Sequence, residues 1–499
     1  MVLRTSLVFV AIAAVCVVLA DLEIATLEPW DELRRIAVGF VTPDAGALTG
    51  ASQALLNTIT FAFCGLALGV TGGSLLAAVF SRSAAVRSFC ACIRAVHELF
   101  WAFLFLPVVG LNPICGILAI GVPYAGVFAK VYAEILQEAD RRPLNGLPPR
   151  TGDLSRFFYG VLPVAYPDLR AYTSYRLECA LRSSAILGFI GLPTLGFHLE
   201  TAFREGLYAE APALLYAFYL LIASLRWWVK PRLVPLYVVA SFALISTEVH
   251  VSWENIRRFL TYEILPWPMR SEGYYAGTGQ VVFDAMEVGR WAWDLTLSEV
   301  VPGAWNTLIL TQIALVGTGL FTLVVFPGIC RHFYSRVPRA LSHYGLIVLR
   351  TTPEYILAYV LLQLWGPSML PAAVAILLHN GAILGHLTGG HANTLNLRID
   401  LPKRRIDRYL FEVLPRVYGS FLAFLFYRWE VMMRESAVLG ILGIPTLGFF
   451  IDSAIAADAI DKVIFLIGVT ALLNVGIDSI SQLVRRRLRV RAGAVFTYD

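Results

Sequence analysis

Two stretches of the chain carry the same charged and aromatic residues at the same spacing. The matched residues are Tyr175, Glu178 and Arg182 in the first stretch and Tyr427, Glu430 and Arg434 in the second. Steps of three and four residues place each set on one face of an α-helix. Each glutamate precedes its arginine by four residues, the favourable order for an intrahelical ion pair. Two interpretations stay open: a structural pair that holds a helix bundle, or a charged lining of a path.

Arg176 and Arg428 are also matched, but they lie roughly 100° around the helix from the tyrosines. They are therefore expected to make a different contact. Burying a charge in hydrocarbon costs roughly 2.5 to 3.5 kcal/mol per residue. Since both stretches are largely apolar, we expect all eight residues to face protein or water, and we treat them together as candidates for a substrate pathway.

A second matched pattern precedes each stretch. Arg156 and Phe157 stand ahead of Leu162-Pro163, as Arg408 and Tyr409 stand ahead of Leu414-Pro415. A short amphipathic segment with a basic and an aromatic residue suits a helix that lies on the membrane face and docks onto a soluble partner. The alternative is a solvated loop that obeys the positive-inside rule.

The matched residues belong to an internal duplication. Residues 162–197 reappear at 414–449 without a gap, with 18 of 36 positions identical. The two copies predict a chain of two homologous halves, residues 1–230 and 231–499, with cores at about 50–226 and 300–484.

Composition places these halves in a membrane. The chain has 58% hydrophobic and 15% charged residues, and its mean hydropathy is +0.68. A net charge of +5 over 499 residues does not favour nucleic-acid binding as the function. The seven cysteines include no Cys-x-x-Cys pair, so neither a disulfide framework nor a zinc site is indicated. The eight histidines form no metal-binding pattern either, and no metal site is predicted.

Apolar runs predict twelve membrane spans. They lie near 5–20, 53–79, 94–110, 113–133, 163–190, 210–226, 233–247, 303–329, 344–365, 368–389, 416–445 and 463–483. Alternate connections are rich in Arg and Lys, which places them and both termini in the cytoplasm. Residues 5–20 fit either a retained span or a cleaved signal peptide, and the span at the corresponding place in the second half favours retention.

These features resemble the permease subunits of binding-protein-dependent ABC importers, within them the phosphonate permease family. Arg350-Thr-Thr-Pro-Glu354 is similar to a signature that opens a core helix of that family, and Arg94-Ala-Val-His-Glu98 is its counterpart in the first half. Tyr124 to Glu134 resembles the helix that leads into the family's coupling loop. The segments from Tyr-Arg-x-Glu to Leu-Gly-x-x-Gly resemble its most specific stretch.

The resemblance implies an all-α membrane protein of about twelve helices in two pseudo-twofold-related halves, each a five-helix type I permease core with one leading helix. It implies a multi-pass protein of the bacterial inner membrane that imports phosphonates or a related phosphorus oxyanion, such as phosphite or a phosphate ester. The chain has no Gly-x-x-x-x-Gly-Lys-Ser/Thr motif, so ATP and Mg are expected on two separate ATP-binding subunits, with no cofactor and no enzymatic activity in this chain. An extracytoplasmic substrate-binding protein is the third expected partner.

The same resemblance identifies the residues expected to couple to the ATPase. They are Glu138, Ala139, Gly152, Arg156, Phe157, Leu162, Pro163, Arg408, Tyr409, Leu414 and Pro415. Gly152 precedes Leu162 by ten residues, whereas the family loop has about twelve, and the second copy has no matching glycine. Proline in Gly-Leu-Pro-Thr-Leu-Gly, where the family commonly has glycine or alanine, also leaves the solute open.

Three other functions remain as alternatives. They are a type I importer for a different small solute, a proton-coupled twelve-helix carrier in which Glu178 and Glu430 are proton sites, and a membrane scaffold. A carrier has no need of two matched cytoplasmic segments, and a scaffold explains neither the segments nor the charges.

Overall fold

The computed structural model describes residues 2–24, 29–148, 150–245, 252–270, 284–398 and 404–488. In these residues the chain is helical and contains no β-strand. The first twelve α-helices are α1 (Val2–Leu19), α2 (Pro29–Val41), α3 (Gly46–Phe80), α4 (Ala84–Ala95), α5 (Glu98–Val109), α6 (Pro113–Glu138), α7 (Asp153–Arg156), α8 (Leu162–Ile186), α9 (Leu195–Arg204), α10 (Glu210–Trp228), α11 (Val234–Leu244) and α12 (Trp253–Arg258). The remaining nine are α13 (Ala285–Leu295), α14 (Val301–Val325), α15 (Arg336–Thr351), α16 (Glu354–Trp365), α17 (Met369–Thr394), α18 (Arg405–Asp407), α19 (Leu414–Leu439), α20 (Leu447–Ala456) and α21 (Ile460–Leu488).

The chain is a multi-pass membrane protein. Seven helical stretches in the described residues are long and apolar enough to cross a bilayer, and the number rises to ten if each of three bent helix pairs counts as one span. α1 and α11 are shorter apolar helices. The predicted all-helical membrane class is therefore confirmed.

Two predicted spans, near 94–110 and 344–365, are not straight helices. α4 meets α5 at 93°, and α15 meets α16 at 93°. The bends fall at two extended dipeptides, Val96-His97 and Thr352-Pro353. The 12 residues of α5 or α16 rise only about 18 Å, short of the roughly 30 Å of hydrocarbon. Each of these two predicted spans therefore coincides with a bent helix pair, which is either a broken span or a re-entrant loop.

The folded chain divides into two compact units. We call residues 39–260 the first unit, and residues 1–38 together with 261–495 the second unit. In the second unit α1 lies against α14 and α19: Gln312 Nε2 donates to Phe9 O (3.2 Å), and the Phe9 ring packs edge-on against Phe426 and Trp429. In the first unit α11 packs on α3, and Tyr237 packs against Phe63.

Small residues allow α3 and α6 to approach each other closely in the first unit. Gly65, Gly69 and Gly73 recur every four residues on α3 and face α6, where a Cβ at Gly69 would lie 2.6 Å from Cβ of Tyr124. Such a row lets two helix backbones approach closely in a membrane, where association depends on van der Waals packing. The row fixes the position of Tyr124, whose side chain is almost completely buried.

A glycine-rich turn ends α8 and α19 in the same way. Gly191 and Gly443, at φ of 87° and 84°, reverse the chain after a short 3₁₀ turn. The returning segment packs so closely that a Cβ at Gly196 would lie 1.7 Å from Ala185 O, and one at Gly448 would lie 1.8 Å from Ala437 O.

Each returning segment is also tied to the first long helix of its unit. Asn57 and Asn306 donate to the carbonyls of Pro193 and Pro445, both at 2.8 Å. The motif Gly-[Leu/Ile]-Pro-Thr-Leu-Gly thus has a structural role that anchors the C-terminal ends of α8 and α19.

Candidate functional site

The matched charged residues lie on α8 in the first unit and on α19 in the second. Tyr175, Arg176, Glu178 and Arg182 are all partly buried. In the second unit Glu430 is buried, Arg428 and Arg434 are partly buried, and Tyr427 is 52% exposed with the Arg485 guanidinium over its ring. Both helices therefore carry their charges along largely enclosed faces, but the two tyrosine positions differ in exposure.

Arg428 is the centre of a buried polar cluster in the second unit. Its Nε donates to Asn380 Oδ1 (2.7 Å), and its Nη2 forms an ion pair with Glu435 Oε1 (3.2 Å). Asn380 Nδ2 donates in turn to Glu435 Oε2 (2.7 Å). Both carboxylate oxygens of Glu435 are thus bound, and the arginine, the amide and the carboxylate form a closed triangle. A buried charge is tolerated when it is paired and hydrogen-bonded in this way.

A histidine and a second glutamate extend this cluster. His379 Nδ1 lies 2.9 Å from Thr352 O, and its Nε2 lies 3.9 Å from Glu354 Oε2. One ligand atom from each of Glu354, His379 and Glu435 lies within 4.8 Å of the others, so these side chains have the composition of a small metal site. Since Arg428 and Asn380 already engage both oxygens of Glu435, we interpret the group as a hydrogen-bonded ionic network.

The first unit assembles the same positions with different side chains. The Arg176 guanidinium lies over the Tyr124 ring, 4.2 Å from its centroid. Tyr124 Oη lies 3.5 Å from Ser183 Oγ. Ser183 aligns with Glu435 in the duplication, and Tyr124 stands eleven residues beyond the first residue of α6, as Asn380 does in α17. The same three positions therefore meet in both units.

Glu98 and Glu354 each have a histidine neighbour, and the two histidines come from different helices. His97 Nδ1 accepts from Leu99 N, which leaves Nε2 to face Glu98 Oε2 at 3.4 Å. In the second unit a proline stands at the position of His97, and His379 of α17 supplies the imidazole. The position of α6 that corresponds to His379 is Pro123. Proline and histidine have exchanged places, and the glutamate–histidine contact persists.

The intrahelical pair expected between Glu178 and Arg182 is not formed. No ion pair between them is found in the described part of the chain, and Arg182 Nη2 donates to Cys179 Sγ (3.4 Å). In α19, Arg428 pairs with Glu435, seven positions beyond it. Sequence comparison of the two copies missed it because position 435 is not identical between them. The signal was available as a carboxylate two helical turns from Arg428, on the same face.

The first of the two segments predicted to couple to an ATPase, called here the coupling segments, begins where α6 ends at Glu138, with Ala139 as the residue after the helix. Arg142 donates through its backbone amide and guanidinium to Asp140, which lowers the pKa of that carboxyl. Gly152 then caps α7, and a π-helical turn, residues 157–161, joins α7 to α8. Arg156 is exposed, and Phe157 is half-buried.

The second coupling segment is held more firmly by its own unit. Arg408 Nη1 donates to His332 O (2.7 Å), and the Tyr409 hydroxyl donates to Leu323 O (2.9 Å). The Tyr409 ring also packs between Phe326 and Phe333. Burial, together with the charges of Arg331 and Arg408, lowers the pKa of His332 in the loop between α14 and α15. Arg408 and Tyr409 thus make internal contacts that the sequence did not reveal.

Both segments are continuous with the long helices that follow them. Each runs into its long helix through a π-helical turn, residues 157–161 and 408–413, placed directly before Leu162-Pro163 and Leu414-Pro415. Proline has no N–H to continue the α-helical ladder, and the wider turn accommodates its ring. The large exposed apolar side chains are the next two residues of each turn: Phe158 and Tyr159 in the first segment, Leu410 and Phe411 in the second.

The sequence of the chain is similar to those of several transport proteins. No family model matches the chain. It is 24% identical over 479 residues to the phosphate-import permease protein PhnE of Mycolicibacterium smegmatis, which covers 92% of this chain and 86% of that protein. It is 25% identical over 226 residues to the phosphite transport system permease protein PtxC of Stutzerimonas stutzeri, covering 42% of this chain and 81% of that protein.

A third relative matches a shorter stretch at higher identity. It is the putative cryptic phosphonate transport system permease protein PhnE2 of Escherichia coli (strain K12), 30% identical over 99 residues that cover 20% of this chain and 81% of that protein. Among solved structures, the crystal structure of an amino acid ABC transporter with histidines matches with a TM-score of 0.33 and 16% identity, covering 41% of this chain and 99% of that chain.

Proposed function

The chain belongs to the permease family of phosphonate, phosphite and phosphate ABC transporters, and on this premise we propose that it carries a phosphorus oxyanion across the inner membrane into the cytoplasm. The support for the solute class is what the relatives' names state: phosphate, phosphite and phosphonate. The chain is a permease component of such a system, and each proposal below concerns how its residues serve that role.

We propose that the chain supplies both permease units at once, as two pseudo-twofold-related halves with twelve spans. Ten spans follow if each bent helix pair counts as one, and α1 and α11 stand at the places of the two leading helices. The matched anchors of Asn57 on Pro193 and of Asn306 on Pro445 support homologous halves. Both termini would then lie in the cytoplasm.

The observation that carries the pathway proposal is the recurrence of one arginine-centred contact in both units. The Arg176 guanidinium lies over the Tyr124 ring of α6, and Arg428 donates to Asn380 at the equivalent position of α17. An anion that crosses a low-dielectric region gains from a cation held in place by neighbouring polar groups. Tyr175, Glu178, Arg182, Tyr427, Glu430 and Arg434 line the same helices and remain proposed pathway residues.

Transport requires a motor, and we propose that two ATP-binding subunits dock at the two coupling segments and supply ATP and Mg. The exposed side chains of Phe158 and Tyr159 and of Leu410 and Phe411 suit such contacts, because exposed aromatic residues concentrate binding energy at interfaces. Arg156 and Phe157, with Arg408 and Tyr409, would transmit the motion from these contacts into α8 and α19. An extracytoplasmic binding protein delivers the solute, and the chain itself needs no cofactor.

The test is uptake into proteoliposomes that contain the chain, its ATPase and its binding protein. We expect uptake of phosphite, phosphate or methylphosphonate that requires ATP on the side of the membrane where the ATPase is bound. Collapsing the pH gradient should leave the rate of uptake unchanged. The matched control omits only the ATPase. Uptake driven by a pH gradient without ATPase would show a proton-coupled carrier and overturn the importer proposal.

A further inference from the structure

Three equivalent positions meet in each unit, yet the units fill them with different chemistry. The pairs are Arg176 and Arg428, Tyr124 and Asn380, and Ser183 and Glu435. Only the arginine is the same in both. In the first unit the guanidinium lies over the Tyr124 ring, whose hydroxyl is 3.5 Å from that of Ser183, and in the second unit it contacts an amide and a carboxylate.

In the second unit these positions already hold an oxyanion that the chain itself supplies. The Glu435 carboxylate accepts from Arg428 Nη2 at 3.2 Å and from Asn380 Nδ2 at 2.7 Å. A guanidinium and a neutral donor that converge on two oxygens form a charge-assisted anion-binding arrangement. Because the Glu435 carboxylate occupies this arrangement, the charge of the Arg428 guanidinium is neutralised by a residue of the chain itself.

In the first unit no carboxylate occupies the corresponding place, since Ser183 ends in a short hydroxyl. Arg176 makes no ion pair within 4.0 Å among the described residues, and its buried Nε has no hydrogen-bond partner there. The hydroxyls of Tyr124 and Ser183, 3.5 Å apart, both can donate to an anion. The first unit therefore offers one guanidinium and two neutral donors without a carboxylate at the position of Glu435, while the nearby Glu98, the counterpart of Glu354, is common to both units.

We propose that Arg176, Tyr124 and Ser183 form a one-sided binding site for the phosphorus oxyanion, in the place that the Glu435 carboxylate takes in the second unit. The proposal rests on the proposed function for its solute, and it adds that the two units contribute unequally. The –PO₃ group common to phosphate, phosphite and phosphonate has oxygens for all three donors. Arg428, which pairs with Glu435, remains a proposed pathway residue and holds α17 to α19, and the solute binds at Arg176.

The decisive experiment moves the carboxylate. Ser183→Glu gives the first unit an internal anion like that of the second, whereas Ser183→Gln adds nearly the same volume without charge. In ATP-driven uptake by the reconstituted complex, we expect Ser183→Glu to be slower than Ser183→Gln by at least about tenfold. Equal uptake by the two Ser183 variants would overturn the proposal, because size and not charge would then govern the site.

A binding measurement separates this proposal from the proposed function. Thermal unfolding of the purified full-length chain is followed with inorganic phosphate, phosphite or methylphosphonate, since a ligand that binds the folded state raises the unfolding temperature. We expect the rise with wild-type chain and with Arg176→Lys, and none with Arg176→Gln or Ser183→Glu. If the wild-type complex fails to transport but its unfolding temperature rises in this pattern, the site stands and the importer proposal falls. The same rise in all four proteins would overturn the site, whatever the transport result.

Discussion

Arg176 and Arg428 align in sequence but should not contribute equally to stability. Arg428 donates to Asn380 and pairs with Glu435, whose side chain is about 10% exposed, whereas the described partner of Arg176 is the face of the Tyr124 ring. Removing one member of a buried ion pair leaves the other charge uncompensated and costs roughly 3 to 5 kcal/mol. A cation–π contact is worth about 1 to 2 kcal/mol.

We therefore expect Arg428→Gln to destabilise the folded chain by more than about 2 kcal/mol beyond the effect of Arg176→Gln. Thermal unfolding of the two variants in the same detergent measures the difference, and each variant is the matched control of the other. Arg428→Gln combined with Glu435→Gln should recover part of the loss, because no buried charge is then left alone. Equal unfolding temperatures for the two single variants would show that the ion pair adds nothing to stability.

The sequence located the arginines and missed what holds them. A comparison of the two copies singles out identical positions. It therefore identified Arg176 and Arg428 and passed over Ser183 and Glu435, which differ. The spacing of Glu178 and Arg182 predicted a pair from helix geometry alone. In the folded chain Arg182 donates to Cys179 on its own helix, whereas Arg176 and Arg428 contact Tyr124 of α6 and Asn380 of α17. Tertiary contacts of this kind have no local signal.

At the scale of the elements, the glycine-rich turns after α8 and α19 have no room for a larger side chain. A Cβ at Gly196 or Gly448 would lie within 2 Å of a backbone carbonyl oxygen, which cannot move aside without shifting a helix. We expect Gly196→Ala and Gly448→Ala each to cost more than about 3 kcal/mol and to lower the yield of folded protein. The control is Gly468→Ala in α21, where a Cβ would have no neighbour within 4 Å. Size-exclusion profiles and unfolding temperatures give the comparison, and a stable Gly448→Ala protein would contradict the packing.

In the coupling segments, residues that would bind the ATPase can be distinguished from residues that stabilise the fold of the chain itself. Phe158 and Tyr159 are exposed, at 55% and 77%, and should touch the ATPase, whereas Tyr409 packs inside the second unit. We expect Phe158→Ala with Tyr159→Ala to weaken ATPase binding by about tenfold or more and to leave the unfolding temperature unchanged. Tyr409→Ala should lower the unfolding temperature even without the ATPase. Pull-down titration and thermal unfolding measure the two effects.

A control for the second part is Tyr409→Phe, which removes only the hydrogen bond to Leu323 O. If the paired Phe158 and Tyr159 variant binds the ATPase as wild type does, the exposed side chains face something else and the docking assignment is wrong.

The sequence predicted most helices and missed the bends between some of them. Long apolar runs such as α3 and α14 were found because their length alone matches a bilayer. The runs near 94–110 and 344–365 looked alike by composition, but each contains an extended dipeptide with His97 or Pro353 at the start of the next helix. His97 caps α5 through its side chain, an arrangement that hydropathy averaging does not register. The π-helical turns before Pro163 and Pro415 were likewise invisible to a helical period of 3.6.

At the scale of the molecule, α1 belongs by its packing to the second unit although it begins the chain. Phe9 packs against Phe426 and Trp429, and Tyr418 Oη donates to Ser6 Oγ (2.9 Å). Packing therefore groups residues 1–38 with 261–495, while the sequence duplication divides the chain at about 230. The two divisions differ because one reflects the internal duplication of the sequence and the other reflects which helices pack together.

If the chain supplies both permease cores, as we propose, one copy of it should assemble with two ATP-binding subunits. The alignment with the M. smegmatis permease covers 92% of this chain, and the two coupling segments recur 252 residues apart. We expect native mass spectrometry of the complex purified with its ATPase to give one permease chain of 55.1 kDa with two ATPase copies.

Mutating one segment tests whether both docking sites are used. Leu410→Ala with Phe411→Ala changes only the second segment, so at limiting ATPase concentration it should leave a population with a single ATPase copy, as should Phe158→Ala with Tyr159→Ala on the first segment. Changing all four residues should release both copies, because each exposed apolar pair supplies its own contact. A complex with two copies of this chain would mean that one chain does not provide both permease units, and a complex that keeps two ATPases when all four residues are changed would place the docking surface elsewhere.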